Sequence, residues 1–400
     1  MTDQPSNALL PPGMNDILPP DAAFETQTVE SLLSVFRAWG YEQVKPPLLE
    51  FEDSLLGGAG AAMTQQTFRL IDPVSQAMLG LRADMTLQVA RIATTRLAHE
   101  PRPLRLCYAG QVLQVSGSQL RPERQVGQAG VELIGSPSHE ADAEAVVLAL
   151  EALTKVGVKG LSVDLNLPTL VSEVINDLGL DGAEAAKARA ALDRKDAGEL
   201  KDIGGAGAGI LTELLKASGA ADRALDALAK IDLPDGAKAA CGRLGDVVAL
   251  IEDGASDVTI TIDPTENRGF EYHTGIAFVL FALGQRGELG RGGRYLAGGG
   301  DNGTTATNAG IAHAGAEPAT GFTLFMDTVL GALTPAGGER RIYLPLNLPA
   351  DERRRLQDQG WITIVGLTAV DDMDGEARRL GCAHVFDNGK PRPVTEAKGD

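Results

Sequence analysis

The first structural signal in the chain is a repeat of apolar residues at helical spacing near its N-terminus. One face carries Val29, Leu32, Leu33 and Phe36. This pattern predicts a helix that Asp21 caps and Gly40 ends, because Asp accepts hydrogen bonds from free helical N–H groups and Gly adopts the backbone of a helix terminus. A short strand is expected next, over 41–44, before Pro46 and Pro47.

Further along, apolar residues alternate with polar ones, which is typical of strands with one buried face. This alternation predicts strands over 161–167 and 258–262. Strands are also expected at the apolar runs 104–115 and 131–134, and antiparallel strands over 270–281 and 287–295. The polar stretch 116–124 between the first two indicates a hairpin with a long loop. Residues 298–315 are rich in Gly, Asn and Thr and are predicted to form a loop.

Other segments have a composition that favours helices or linkers. A helix is expected over 141–153, and the alanine-rich stretch 181–230 is predicted to be a helical insertion, because alanine is the best helix former. Residues 334–338 contain Pro and Gly and form a candidate linker. The segments that follow predict strand, helix and strand in a small α/β domain, over 342–346, 351–359 and 361–367.

Composition narrows the function classes. The 400 residues are 44% hydrophobic, and 54 acidic against 36 basic residues give a net charge of −18, which lacks the basic footprint of a nucleic-acid binder. The three cysteines form no CxxC pair and the histidines no metal-binding spacing, so neither a zinc site nor a disulfide framework is expected. The N-terminus has no signal-peptide pattern, and no apolar run is long enough to span a membrane. We therefore expect a cytoplasmic protein that uses no metal, membrane or nucleic acid.

Four separated patches carry the side chains that could do chemistry. In chain order they are LRADMT at 81–86, YAG at 108–110 with QAGVE at 128–132, ENRGFEYHT at 266–274, and RGGRY at 291–295. Each has a plain structural interpretation by itself. Asp84 could cap a helix, Glu132 could lie on a solvated strand face, Arg268 could lie in a turn, and RGGRY could form a β-bulge. Their occurrence together, in this order, favours a binding site.

Together with PGMNDILP at 12–19, these patches resemble those of histidyl-tRNA synthetase, a class II aminoacyl-tRNA synthetase. The resemblance covers roughly residues 9–335, and the helix and strand that end at Pro47 resemble motif 1, the dimer interface of class II enzymes. It implies an α+β fold, with a mainly antiparallel sheet of about six to seven strands flanked by helices. It also implies a synthetase-like core over 1–335, with a helical insertion at about 170–255, and a small α/β domain over 336–400.

The resemblance further implies a pocket for histidine. It assigns the α-amino group of the ligand to Asp84, Thr86 and Gln128. Glu132 would accept a hydrogen bond from an imidazole nitrogen, and Arg268 would face the ligand carboxylate, because a guanidinium fork matches a carboxylate. The remaining pocket residues would be Tyr272, His273 and Tyr295. His273 is a departure, since the family usually has tyrosine at that position.

Two further positions depart from the synthetase pattern. Motif 2 usually carries an arginine that holds the α-phosphate of ATP, and this chain has Gln114 in its place. Motif 3 usually ends in an arginine at the γ-phosphate, and this chain has Thr328 there. Losing one partner of a buried charge pair costs about 2–5 kcal/mol. The two losses together predict a chain that does not activate histidine with ATP.

An amino-acid pocket beside a lost ATP site resembles the regulatory subunits of ATP phosphoribosyltransferase. Such a subunit is non-catalytic, needs no cofactor, is required by a short-form catalytic subunit, and binds histidine for feedback control of the first step of histidine biosynthesis. The implied partners are that catalytic subunit, free histidine and a second copy of the chain, bound through the N-terminal helix–strand region. Two alternatives stay open: a histidyl-tRNA synthetase with divergent ATP motifs, and a module that binds uncharged tRNA.

Overall fold

The computed structural model describes most of the chain. The described residues are 9–56, 63–117, 121–202, 205–266, 272–298, 305–307, 310–312, 316–334 and 340–395. The chain divides into two compact units, 1–334 and 335–400. Each unit has hydrophobic clusters of its own and is described by itself below.

The first unit alternates strands and helices along the chain. Up to the insertion its elements are α1 (Asp21–Ala38), β1 (Glu42–Gln43), β2 (Leu49–Phe51), α2 (Glu52–Leu55), β3 (Phe68–Ile71), β4 (Met78–Leu81), α3 (Thr86–Thr95), β5 (Leu104–Leu113), β6 (Gln125–Ile134), α4 (His139–Val156) and β7 (Leu161–Asn166). The insertion contains α5 (Leu170–Asp177), α6 (Gly182–Asp193), α7 (Ala197–Asp202), α8 (Gly205–Lys216), β8 (Gly219–Ala220), α9 (Ala221–Leu228) and α10 (Asp235–Gly254). The unit closes with β9 (Thr259–Ile262), β10 (His273–Ala282), β11 (Gly290–Ala297), β12 (Thr305–Thr307), β13 (Gly310–Ala312), β14 (Glu317–Phe325) and α11 (Met326–Gly331).

A large mixed sheet organises this unit. In the described residues it has nine strands in the order β1-β5-β6-β14-β11-β10-β7-β9-β8. Its described pairs are antiparallel except for β1 with β5 and β7 with β9, which confirms the mainly antiparallel prediction. The predicted six to seven strands were too few. Strand β8 is too short to show an alternation, and β14 is buried along most of its length, so it has no polar face for the sequence to reveal.

The sheet has two different faces because successive side chains point to opposite sides. One face packs against α1 and α4 in the main core, where the rings of Phe36 and Phe322 meet edge to face with centroids 5.6 Å apart. The other face forms a smaller core with α3, which includes Met85, Tyr108 and Tyr295. This second face also carries the candidate site.

Helix α1 confirms the predicted apolar face but not the predicted cap. Leu32, Leu33 and Phe36 are buried. Pro20 occupies the N-cap position with a near-helical backbone (φ −88°, ψ −6°), and it makes no side-chain capping bond. Asp21 therefore lies inside the first turn, where its charge faces the positive end of the helix dipole, and the prediction of Asp21 as the cap was wrong.

The alanine-rich insertion is helical, as its composition predicts. Its small side chains let neighbouring helices approach closely, and Ala185, Ala188 and Ala191 bury one face of α6. Asp181 caps this helix by accepting hydrogen bonds from the N–H groups of Ala183 and Glu184.

Two small sheets were not predicted. Strands β2, β4 and β3 form an antiparallel sheet, and β12 pairs with β13 inside the segment 298–315 that was predicted as a loop. These strands are three or four residues long, so an alternation in them is hard to distinguish from chance. The rest of that loop prediction, over 299–304, 308–309 and 313–315, lies outside the described residues.

The second unit is a small α/β sheet with helices, which confirms its predicted class. Its elements are β15 (Arg341–Leu344), α12 (Ala350–Asp358), β16 (Ile362–Val365), α13 (Met373–Arg379), β17 (His384–Asp387) and β18 (Lys390–Pro393). Strand β15 pairs in parallel with β16 and β17, and β18 runs antiparallel to β17. One of its two clusters is formed by Ile342, Leu344, Leu356, Trp361 and Phe386.

Candidate functional site

A cleft opens on the second face of the large sheet. Its empty space, including the part open to solvent, is about 360 Å³. Its walls come from β10, β11, β14, β6 and the segment between β4 and α3. They are formed by Asp84, Thr86, Glu132, Tyr272, His273, Arg291, Gly292, Gly293, Tyr295, Gly321, Phe322, Thr323 and Phe325.

Glycines make room for the cleft. Glu132, Gly321 and Gly293 are direct cross-strand neighbours in one row of the sheet. A Cβ on Gly321 would overlap with the carboxylate of Glu132, and a Cβ on Gly293 would lie 2.7 Å from the ring of His273. Gly293 also has φ +152°, which side-chain-bearing residues rarely adopt. The small residues of the RGGRY patch therefore keep this row open.

Glu132 lies at the floor of the cleft and is 1% exposed. The hydroxyl of Tyr295 donates to its Oε2 at 2.9 Å, and the hydroxyl of Tyr108 donates to its Oε1 at 3.2 Å. Burial raises the pKa of Glu132 to about 8, although these donors oppose the rise and nearby Asp84 adds to it. The alternative that Glu132 lies on a solvated face is excluded.

Two hydroxyl residues in this network were not predicted as site residues. The Tyr108 hydroxyl lies 2.8 Å from Thr323 Oγ1 and 3.2 Å from Thr86 Oγ1. Burial, followed by the charges of Glu132 and Asp84, raises the pKa of Tyr108 well above its ordinary value. Strand register could have identified both residues, because Gly130 lies directly across from Tyr108 on one side and from Thr323 on the other.

Asp84 and Gln128 form the second polar group of the site. Asp84 Oδ1 accepts the backbone N–H of Thr86 at 2.8 Å, and its Oδ2 accepts the Gln128 amide at 3.0 Å. Gln128 in turn accepts the N–H of Met85 at 3.2 Å, so its side chain is held by two contacts. Asp84 thus lies beside the start of α3, close to the helix-capping position considered for it from the sequence, and it also lines the cleft.

Aromatic rings form one side of the cleft. The rings of Tyr272 and His273 lie 4.1 Å apart, and Tyr272 meets Tyr295 edge to face at 6.1 Å. An irregularity of pairing between His273 and Ala277 turns this part of β10 toward the cleft. Arg268, predicted to face the ligand carboxylate, lies outside the described residues.

Arg294 of the RGGRY patch has a structural role on the opposite face. Its Nε donates to Asp142 Oδ2 at 3.1 Å, and its two Nη groups donate to the carbonyls of Ser136 and Ser138 at 2.8 and 2.7 Å. The guanidinium therefore fixes the start of α4 against β11. Neighbouring residues of one patch, Arg294 and Tyr295, serve the core and the cleft respectively.

The two positions predicted as lost ATP contacts are occupied by residues with local roles. Gln114 follows β5, and its backbone N–H donates to the carbonyl of Arg124 at 2.7 Å. Thr328 is buried in α11, where its hydroxyl donates to the Glu288 carbonyl at 2.7 Å. Arg121 donates to the Glu288 carboxylate at 2.8 Å and stacks over the Phe325 ring at 3.9 Å.

The described residues of the cleft combine hydrogen-bond acceptors with one cationic side chain, Arg291, which the Glu288 carboxylate holds. Hydroxyl groups and carboxylates dominate its floor, and these accept hydrogen bonds from N–H groups of a ligand. In the described residues, no group of three or more His, Cys, Asp or Glu side chains is arranged to hold a metal ion.

Comparison with known proteins defines the family. The histidyl-tRNA synthetase family model matches residues 13–329. A protein of Paramagnetospirillum magneticum named ATP phosphoribosyltransferase regulatory subunit is 53% identical over 384 residues, which cover 96% of this chain and 97% of the relative. One of Rhodospirillum centenum with the same name is 51% identical over 399 residues, covering 99% of this chain and 100% of the relative. The chain belongs to the ATP phosphoribosyltransferase regulatory subunit family.

Membership of this family confirms the sequence-based expectation of a regulatory subunit rather than a catalytic enzyme. A solved structure from Bacillus halodurans, described as an ATP phosphoribosyltransferase regulatory subunit/histidyl-tRNA synthetase, has a TM-score of 0.76 at 24% identity and covers 94% of this chain and 97% of its own. That likeness confirms the class II synthetase-like α+β fold. Within the parts of the chain that are described, no helix combines the length and apolar character needed to cross a bilayer.

Proposed function

We propose that this chain is the histidine sensor of an ATP phosphoribosyltransferase. It binds free histidine in the cleft, and the bound amino acid suppresses the activity of a short-form catalytic subunit that requires this chain. The observation that carries the proposal is a buried carboxylate, Glu132, held by two tyrosine hydroxyls in a chain about half identical to named regulatory subunits. Feedback of this kind needs a coupling free energy of about 1–3 kcal/mol between the two sites.

The proposed pose follows the polarity of the cleft. The ligand α-amino group lies at Asp84, Thr86 and Gln128, and the imidazole N–H donates to Glu132. Arg268 pairs with the ligand carboxylate. Tyr272, His273 and Tyr295 surround the ring. Hydrogen bonds to charged groups of this kind contribute about 1.5–3 kcal/mol each.

A separate proposal concerns ATP, which we infer this chain does not use. Gln114 and Thr328 carry no charge, and the Thr328 hydroxyl already donates to the Glu288 and Phe325 carbonyls. Arg121 donates to Glu288 and stacks on the Phe325 ring. It is therefore not placed to replace either of the missing arginines at the ATP phosphates. A histidine-dependent exchange of pyrophosphate into ATP by the purified protein would favour the synthetase alternative instead.

We further propose a cytoplasmic homodimer that uses the N-terminal helix–strand region and binds neither nucleic acid nor membrane. Next to that region, Phe51, Leu79 and Leu70 form one cross-strand row on the sheet β2-β4-β3, and both Phe51 and Leu70 are exposed. Exposed apolar rows of this kind mark interfaces. Light scattering tests the dimer by measuring the molar mass in solution, and the Phe51→Glu variant should dissociate into monomers more readily than the wild type. Salt-sensitive binding of tRNA would instead support the uncharged-tRNA alternative.

Histidine binding is tested by thermal unfolding. A ligand at a hundred times its Kd adds about 2.7 kcal/mol to the free energy of unfolding, so the midpoint should rise with histidine concentration. Arg268→Ala should remove this response, because the ligand carboxylate loses its counter-charge. A wild-type midpoint that stays constant up to millimolar histidine would contradict the proposed sensor.

A further inference from the structure

Two carboxylates of the cleft, those of Asp84 and Glu132, form no ion pair within the described part of the chain. Asp84 accepts hydrogen bonds from Thr86 and Gln128, and Glu132 accepts them from Tyr108 and Tyr295. In the described residues, no nitrogen of Lys, Arg or His lies within the 4.0 Å of an ion pair from either carboxylate. Among the described residues, neither carboxylate is therefore paired with a cationic side chain.

The hydrogen bonds around Glu132 suit the carboxylate anion. Each of its oxygens already accepts a phenolic O–H, and Tyr108 itself is supported by Thr86 and Thr323. Donors directed at both oxygens favour the charged form of a carboxyl group. Burial without a cation opposes that form, because a buried charge needs a partner. A ligand that carries a positive charge to this point satisfies both requirements.

We propose that the cleft binds histidine with its ring protonated, as the imidazolium, against Glu132 and with its α-ammonium against Asp84. This inference rests on the proposed histidine-sensing function and adds the charge state of the ligand. It makes the ligand a molecule with two cationic groups. A neutral heterocycle that cannot take up the proton of Glu132 would not form this ion pair.

Several groups line the cleft around Glu132 or hydrogen-bond to it. They are Asp84 and Thr86 before and in α3, Tyr108 on β5, Thr323 on β14, Tyr295 and Arg291 on β11, and Tyr272 and His273 at β10. Arg291 is held by the Glu288 carboxylate at 2.6 Å. With the pKa of Glu132 raised to about 8, the empty cleft carries a proton on this carboxyl at neutral pH, and binding transfers it to the ring nitrogen.

This transfer fixes the pH dependence of binding. Between the ring's own pKa, about 6.5, and pH 8, the complex forms with no net exchange of protons. Above pH 8 one proton is taken up from solvent, so the affinity falls about tenfold for each further pH unit. Below the ring pKa one proton is released, and the affinity falls again. Affinity is therefore highest near neutral pH.

The direct test is nuclear magnetic resonance of histidine labelled with ¹⁵N in the ring, bound to the full-length protein. At pH 8 both ring nitrogens of the bound ligand should be protonated, whereas the free ligand is neutral. The pKa of the bound ring should lie at least about two units above that of the free amino acid, which corresponds to a hundredfold preference for the imidazolium. A bound ring with one unprotonated nitrogen at pH 8 would overturn the inference.

Variants assign the effect to Glu132. Glu132→Gln should return the bound ring to its ordinary pKa and abolish proton uptake above pH 8, measured by calorimetry in buffers of different ionisation enthalpy. Glu144→Gln is the matched control, because Glu144 also accepts a hydrogen bond from a buried tyrosine, Tyr41 at 2.9 Å, but on the opposite face of the sheet. Equal ring pKa values in wild type and Glu132→Gln would contradict the assignment to Glu132.

A ligand analogue gives a test that needs no variant. Triazolylalanine has the shape of histidine and a much weaker ring base, so it should bind the wild-type protein at least tenfold more weakly at pH 7.5. Equal affinity of the two ligands would contradict the imidazolium state but would leave the proposed histidine binding intact. Absence of histidine binding, by calorimetry and by thermal shift together, would contradict the proposed function and the inference with it.

Discussion

The hydroxyl of Tyr295 lies 2.9 Å from Oε2 of Glu132, although 163 positions separate the two residues in the chain. Both are buried, and each belongs to a different sequence patch. Their contact crosses β14, where Gly321 supplies no side chain to come between them. Folding of the sheet thus unites the QAGVE and RGGRY patches in one site.

Removing the Tyr295 hydroxyl should weaken histidine binding. Tyr295→Phe leaves Glu132 Oε2 without its donor, and a lost hydrogen bond to a charged group costs about 1.5–3 kcal/mol, or at least tenfold in affinity. Titration calorimetry measures the change. Tyr343→Phe, a buried tyrosine of the second unit, should bind as wild type. Unchanged affinity in Tyr295→Phe would show that its hydroxyl does not support the contact between Glu132 and the ligand ring.

Adding a methyl group at Gly321 should close the site. The Cβ of Gly321→Ala would overlap with the Glu132 carboxylate and the Val131 carbonyl, so Glu132 must move and histidine binding should be lost. Thermal shift with and without histidine reports this result. Gly242→Ala is the control, because a Cβ there meets nothing within 4 Å in α10 and should stabilise the helix by about 1 kcal/mol. A normal histidine response in Gly321→Ala would place the ligand elsewhere.

Arg294 should matter for stability. Arg294→Met leaves Asp142 as a buried charge without its main partner, which should lower the free energy of unfolding by about 3–5 kcal/mol in urea denaturation. The exposed pair of Arg354 with Asp351 provides the comparison, and Arg354→Met should cost less than about 1 kcal/mol. Equal effects of the two substitutions would refute the structural role of Arg294.

The stability of the empty protein should fall as pH rises from about 4.5 to 8. Over this range the native state keeps a proton on Glu132, whose pKa is raised to about 8, whereas the unfolded chain has released it. The unfolded state therefore gains with rising pH, by at most about 5 kcal/mol. Glu132→Gln should flatten this part of the profile. A profile identical to that of wild type would mean that Glu132 is ionised in the empty cleft.

Patterns of the sequence predicted the fold where they were long enough to show a period. The hairpin of β5 and β6 and the helix α4 follow directly from such patterns. Several short strands, among them β2, β8 and β12, were not predicted, because two to four residues show too little alternation. Strand β1 does lie within the predicted strand 41–44. Asp21 was misassigned as a cap because the backbone of Pro20, one residue earlier, determines where the helix begins.

A site residue could be predicted when its neighbours in the sequence already indicated its role. Asp84, Glu132 and Tyr295 stood in patches that resemble a known family, and the structure places all three in the cleft. Tyr108 and Thr323 were missed as site residues, because a hydroxyl in a strand gains meaning only from its neighbours across the sheet. Their separation of 215 positions hides the contact from any local pattern.

Reconstitution with a cognate short-form catalytic subunit tests the central claim most directly. Product formation from ATP and phosphoribosyl pyrophosphate is followed with and without this chain, over a range of histidine concentrations. If this chain senses histidine, activity rises on mixing and histidine then suppresses it, with suppression lost in Glu132→Gln. Catalytic activity that is the same with and without this chain, or a complex that stays fully active in histidine, would contradict the proposed function.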